Sequence, residues 1–242
     1  INQDILKNYN IPLAPLNEQK RIVDKIEKLF SDLDNAEANL KKVQSLIKTY
    51  RQSVLKAAVT GELTKEWREK NKGKFESSGE LLKRILKIRQ EQWKGKVKQR
   101  KSKVLDISPF PELPREWAWS TLEDLILTGP TNGVSPQSTK NEHAIKSFKL
   151  TATTSGKFII NEKTIKYVDI DKKSSEKYLL VKGDILIQRG NTIDYVGTAA
   201  IFHGPDFEYI YPDLMMKIRV LNATLASWIV NWINFDYAKD YF

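Results

Sequence analysis

The chain has no cysteine, which excludes a disulfide framework, a thiol nucleophile and zinc sites of the thiolate type. Histidine is almost as scarce. His143 and His203 are the only two, they lie far apart, and neither has a second imidazole at helical spacing, so no metal site is expected. Two distant histidines also give no basis for a Ser/His/Asp set. The nucleotide signatures are missing as well: there is no Gly-x-x-x-x-Gly-Lys-Ser/Thr loop, and no Gly-x-Gly-x-x-Gly follows a strand-like run. Long hydrophobic runs are lacking too. The longest weakly charged apolar stretch, residues 221–235, carries Asn222, Asn231 and Asn234 and is too short to span a bilayer. No secretory h-region or cleavage site opens the chain. What remains is a protein that binds and does not catalyse, with no site of its own for a metal or cofactor.

The chain's 242 residues suffice for one large domain or two small ones, and 40% hydrophobic with 29% charged residues excludes a collagenous or wholly disordered chain. The first residue is Ile1 and not Met, which leads us to expect a piece of a longer protein. The formal charge of +10 is concentrated. Residues 83–103 hold ten basic side chains against the single acid Glu91, so that window is +9 and the rest of the chain nearly neutral. One local patch, not a generally basic surface, therefore calls for explanation.

Upstream of the patch runs the strongest periodic signal. Apolar residues fall at Ile22, Ile26, Leu29, Leu33, Ala36, Leu40, Val43, Ile47, Tyr50, Val54 and Ala57, an unbroken 4,3,4,3 spacing that predicts a long coiled-coil-like helix of about 54 Å. Pro12 and Pro15 followed by Glu18 mark its start, and Gly61 its end. Val23, Phe30, Leu46 and Ala58 widen the stripe, so the helix needs a partner. We single out Ile26, Leu29, Leu33, Leu40, Val43 and Ile47 as its association face. A second helix is expected over residues 80–93, opened by Ser77 and Glu80 at capping-box spacing. Residues 17–93 thus form a helical region. Residues 94–111 read as a basic linker stiffened by Pro109 and Pro111, with Pro114 just beyond.

From residue 112 to 242 the pattern changes to short β-rich runs at 148–151, 158–160, 165–168, 184–188, 196–202 and 215–220. Two helices are expected among them, one capped by Ser120 with Glu123 and one over residues 223–242. The class is α+β: a long coiled-coil-like helix plus a β-rich domain.

Pro212, Asp213 and Lys217 faintly suggest a nuclease carboxylate-lysine pair. Met215 and Met216 stand where a second metal-binding acid would be needed, so a turn feeding a buried strand is preferred. Gly183-Asp184 likewise reads as a turn entering a strand. Nucleic-acid binding is the natural use of the basic patch, because Lys96, Lys98, Arg100 and Lys101 can neutralise phosphates and release counterions. The plainer alternative is a solvated linker. Polar loops supply candidates for contacts to base or phosphate: Asn132, Ser135 and Gln137 in one, and Gln188, Arg189 and Asn191 in another. Arg can pair bidentately with guanine, and Asn or Gln with adenine. Arg189-Gly190-Asn191 reads equally as a simple turn. Trp117, Trp119, Trp228 and Trp232 suit base stacking, although core packing is the commoner use.

Several segments together resemble the specificity subunit of type I restriction-modification systems. Residues 1–9 (INQDILKNY) and 11–19 (IPLAPLNEQ) resemble the end of one of that family's target recognition domains. Residues 22–64, ending RQSVLKAAVTGELT, resemble its helical spacer, and this is the most specific match. Leu113-Pro114-Arg115-Glu116-Trp117-Ala118-Trp119 resembles the opening of the next recognition domain, and residues 183–189 (GDILIQR) with Val196-Gly197 a strand pair inside it. Ala14 departs from the family's usual proline.

The resemblance implies that residues 1–16 are the tail of a preceding recognition domain, 17–93 a spacer and docking region, and 112–242 most of a second recognition domain. It implies a non-catalytic, cytoplasmic subunit that binds double-stranded DNA and docks methyltransferase subunits and a restriction subunit. S-adenosylmethionine, ATP and Mg would sit on those partners, with none bound by this chain. Self-association through the helix is a further expectation. The alternative from a different class is an oligomerising scaffold whose β-rich domain binds protein.

Overall fold

A computed structural model describes residues 2–92, 112–190, 192 and 194–236. The chain is α+β and divides into two compact units, Ile1–Arg51 and Gln52–Phe242.

The first unit opens with the short helix α1 (Gln3–Lys7), whose first turn is capped by Asn2: its Oδ1 accepts from the Ile5 N–H at 2.9 Å. An extended stretch carries the chain through Pro12 to Pro15, and the Pro15 carbonyl accepts the N–H groups of Glu18 and Gln19. That starts α2 (Leu16–Val59), 44 residues and about 66 Å at the usual helical rise. The helix forms where the heptad spacing places it and is longer at both ends than the periodic stripe. From Lys20 to Arg51 every one of its residues is exposed, the apolar stripe included.

The last turns of α2 belong to the second unit. They stop at Gly61, whose φ of 81° is open to glycine at little cost. A side chain there would also collide with the Pro114 ring, whose Cγ would lie 2.7 Å from a Cβ. The helix α3 (Lys65–Lys70) follows, then α4 (Ser78–Gln92). The capping box at its start forms as the spacing predicts: the Ser77 N–H donates to Glu80 Oε2 at 2.9 Å, and the Glu80 N–H to Ser77 Oγ at 3.3 Å. Hydrogen bonds from the Ser77 backbone and hydroxyl hold the Glu80 carboxyl below its ordinary range. Ile85 buries the inner face of α4, and Ser78 ties the helix to the Glu116 carbonyl through both its N–H and its hydroxyl. The expected linker, 94–111, lies outside the described residues.

The remainder is three layers. A four-stranded antiparallel sheet has the order β1 (Ile126–Asn132), β7 (Met215–Val220), β4 (Ile185–Gln188), β5 (Ala199–Ile201). A three-stranded sheet has the order β3 (Ile165–Val168), β2 (Ile145–Phe148), β6 (Tyr209–Ile210), with β2 and β6 parallel. Ile185 and Ile187 of β4 point to one face of the larger sheet, where α7 (Ala223–Ile233) seats Ala226, Ile229, Val230 and Ile233 against them. Leu186 points to the other face, into an aromatic cluster of Phe148, Phe158, Phe202, Tyr209 and Tyr211. This is why β4 reads as a continuous apolar run: both of its faces are buried.

Of the expected strands, 165–168 and 215–220 match β3 and β7, while β4 and β5 lie inside 184–188 and 196–202. The run 148–151 differs: β2 ends at Phe148, and Leu150–Ala152 is a 3₁₀ turn. Residues 158–160 form no strand; Phe158 is an aromatic anchor instead, 4.7 Å from Phe148 between ring centres. Thr121, not Ser120, caps the short helix α5 (Leu122–Leu125), its hydroxyl accepting from the Asp124 N–H. The helix expected over 223–242 is α7, which ends at Ile233 with Asn234 as its cap. A short helix, α6 (Lys172–Ser175), lies between β3 and β4, capped by Asp171.

Candidate nucleic-acid interface

Three loops meet at one end of the larger sheet. β1 leaves the sheet at Asn132, β4 leaves it at Gln188, and β7 enters at Met215; the pairings Asn132 with Met216 and Gln188 with Met215 place all three ends side by side. The Gly133 N–H donates to the Met215 carbonyl at 3.1 Å, the Val134 N–H to the Tyr211 carbonyl at 2.9 Å, and the Arg189 N–H to the Leu214 carbonyl at 2.9 Å. Gly133 lies so close to the turn before β7 that a Cβ would sit 2.2 Å from the Tyr211 oxygen and 2.3 Å from that of Pro212. Side chains reinforce the backbone. Ser135 Oγ donates to Asp213 Oδ1 at 2.6 Å, and the Asp213 N–H donates back to Ser135 Oγ at 3.3 Å. The Tyr211 hydroxyl reaches the Thr131 carbonyl at 3.0 Å, and burial, then the Asp184 charge, push it far above the ordinary phenol value.

The structure thus gathers three of the predicted residues, Arg189, Asn132 and Ser135, where these strands end, whereas Gln137 lies farther along the loop after β1, its carbonyl accepting the Asp169 N–H at 2.9 Å; none of the four is buried. Among the described residues the Arg189 guanidinium has no hydrogen-bond or ion-pair partner, so its planar fork of donors faces solvent. Ser135 has a structural task, tying its loop to Asp213. Gln188 requires a correction. It is 1% exposed, and its amide donates to Thr153 Oγ1 at 2.9 Å and the Leu150 carbonyl at 3.2 Å. It fastens the 3₁₀ turn to β4 and presents nothing to a ligand, because the strand that carries it is covered on both sides. Asn191, Lys96, Lys98, Arg100 and Lys101 lie outside the described residues.

The two turn-like motifs are structural. Gly183, at φ 94°, turns the chain into β4, and Asp184 is fully buried. Its carboxylate receives Arg219 Nε at 2.6 Å and Nη2 at 3.0 Å, and the Val181 N–H at 2.9 Å. Asp213 and Lys217 do not form a pair: Asp213 holds Ser135, whereas the Lys217 ammonium donates to the carbonyls of Leu179 and Lys177. Desolvation lowers the Lys217 pKa, partly offset by Asp184. Among the described residues no cluster of His, Asp and Glu could hold a metal ion, and no helix is long and apolar enough to cross a membrane. The tryptophans pack. Trp117 meets Trp228 edge-on at 5.3 Å, Trp119 meets Trp232 at 5.4 Å, and Arg68 lies over the Trp117 ring. Sequence reasoning misses Leu214, which stands 41% exposed among the polar loops. Nothing in a lone leucine after Pro212-Asp213 signals that position.

The sequence is similar to those of known proteins. Residues 1–44 match the family model described as type I restriction modification DNA specificity domain. Over 222 residues, 91% of the chain, the sequence is 23% identical to the type I restriction enzyme EcoKI specificity subunit of Escherichia coli (strain K12), covering 39% of that protein. It is 26% identical over 240 residues to the EcoBI specificity subunit of Escherichia coli, 93% of this chain and 44% of that one. A shorter stretch of 91 residues is 34% identical to the StySPI specificity subunit of Salmonella potsdam, covering 38% of this chain and 20% of that one. The chain spans less than half the length of these curated relatives.

Proposed function

As a relative of the specificity subunits of type I restriction enzymes, this chain is, we propose, a DNA-reading element: residues 112–242 recognise one part of a duplex site, and α2 spaces and docks that reader within a larger complex. The observation that carries the proposal is the convergence of three loops at one end of the four-stranded sheet, with the exposed Arg189 guanidinium, which has no partner among the described residues, at its edge. A planar fork of donors on a braced turn suits bidentate recognition of guanine in the major groove. Asn132 ends β1 and Gln137 lies on the loop that follows it, and each amide can donate to and accept from a base edge. The basic run at 94–103 supplies the sequence-independent part, drawing the reader to the phosphate backbone.

In this reading the chain performs no chemistry itself. Methyltransferase subunits dock on the helical region and a restriction subunit completes the assembly, in the cytoplasm, with S-adenosylmethionine, ATP and Mg bound by those partners. The matching family model, described as a type I restriction modification DNA specificity domain, favours DNA recognition over the oligomerising-scaffold alternative. The test is to copurify the full-length protein with the products of neighbouring genes and map adenine methylation in the genome with and without it. A split methylated sequence that disappears with the gene supports the proposal. A methylome unchanged by the deletion contradicts it.

A further inference from the structure

Leu214 is a large apolar side chain exposed among these polar loops, and its position is fixed. Its carbonyl accepts the Arg189 N–H at 2.9 Å, and its side chain lies against Gly190, where a Cβ would come within 2.9 Å of Leu214 Cδ2. Asp213, beside it, is held by Ser135 through two hydrogen bonds. The turn that carries Leu214 is therefore braced by both neighbouring loops, and Leu214 sits next to the residue best placed to read a base. A braced apolar group at the edge of a major-groove reader has one matching feature among the bases, the C5 methyl of thymine. The neighbouring Asp213 carboxylate disfavours a phosphate at this position.

We propose that Leu214 is a specificity-determining residue that recognises the methyl group of a thymine adjacent to the base read by Arg189. This rests on the DNA-reading function proposed above and deepens it.

The experiment uses the full-length protein in complex with its partner subunits and a duplex carrying the site mapped by methylation. Each thymine of the half-site is replaced in turn by deoxyuridine, which removes the methyl and leaves every hydrogen-bonding group. One replacement should weaken binding about fourfold, the effect of removing one buried methyl group. Leu214→Ala should bind the thymine and uracil duplexes alike, and Leu214→Met, which keeps an apolar reach, should restore the difference. The backbone bond to Arg189 survives both substitutions, so each variant should retain preference for the site over random DNA.

A half-site in which no methyl matters overturns the assignment of Leu214, as does a uracil effect that persists in Leu214→Ala. In either case a complex that still prefers its site over random duplex leaves the DNA-reading function standing. If site and random duplex bind equally, both fall together.

Discussion

The side chain of Asn234 pairs with the backbone of Ala199 on both sides, Nδ2 donating to the carbonyl at 2.8 Å and Oδ1 accepting the N–H at 2.9 Å. Ala199 lies on β5, the outermost strand of the larger sheet, so the amide takes the place that a further strand would fill. Asn234 is anchored in turn. Its own carbonyl accepts from Gln52 Nε2 at 3.3 Å, and Gln52 Oε1 accepts the Asp236 N–H at 3.0 Å. Two amide side chains thus link the final turns of α2, the end of α7 and the edge of the sheet.

Replacing Asn234 with Ala strands the N–H and carbonyl of the buried Ala199 without partners. We expect a loss of roughly 1–3 kcal/mol, the cost of unsatisfied buried polar groups. Gln52→Ala, whose partners lie nearer solvent, should cost less. Urea denaturation of the two variants beside wild type measures both, and equal, negligible effects would show the clamp to be incidental.

The Asp184–Arg219 pair predicts an asymmetry. Asp184 has no exposure, while the Arg219 side chain is 38% exposed. Arg219→Ala leaves a buried carboxylate with, among the described residues, only the Val181 N–H for a partner and should cost about 3 kcal/mol or more. In Asp184→Asn the side chain stays neutral and the guanidinium can turn to water, so the loss should be smaller. Denaturation midpoints of the two variants give the order.

How much of the molecule is legible in the residues depends on what fixes each element. Local signals suffice where the determinant is local. The heptads of α2, the Ser77–Glu80 box and the Met215–Val220 strand are where spacing and propensity put them. β1 escapes a sequence reading because its centre is Thr128-Gly129-Pro130-Thr131, which reads as a turn. Only pairing with β7 makes it a strand, with Gly129 at φ 100° and the Lys217 oxygen 2.4 Å from where a Cβ would be. β6, two residues long, is likewise set by its partner β2. At the interface, Arg189 is visible as a charge in a turn-like triplet. Gln188 misleads, although the uninterrupted Ile185-Leu186-Ile187 before it signals a strand covered on both faces, whose last residue is also inside. Leu214 acquires its place from loops distant in sequence, which no single window can show.

For α2 we expect association. Leu33 and Leu40 are 63% and 59% exposed on a stripe five heptads long, and covering such a face stabilises the helix. Leu33→Glu with Leu40→Glu should turn an associated wild-type species into monomer by light scattering. A wild-type protein that is monomeric at high concentration counts against this.

The basic run should act on all DNA alike. Changing Lys96, Lys98, Arg100 and Lys101 to Gln should weaken binding to every duplex. The slope of log affinity against log salt should fall by about 0.9 for each phosphate no longer neutralised. An unchanged slope would make the run a solvated linker.

Whether the loops at the end of β1, β4 and β7 read bases is decided by Arg189→Ala in the full complex. Binding is measured on the mapped site, on site variants changed one base pair at a time, and on random duplex, at fixed salt. We expect a loss of roughly 1–3 kcal/mol on the mapped site, relaxed discrimination at one base pair, and unchanged affinity for random DNA. Equal losses on mapped and random duplexes would show that Arg189 touches only phosphate, and base reading by these loops would be refuted.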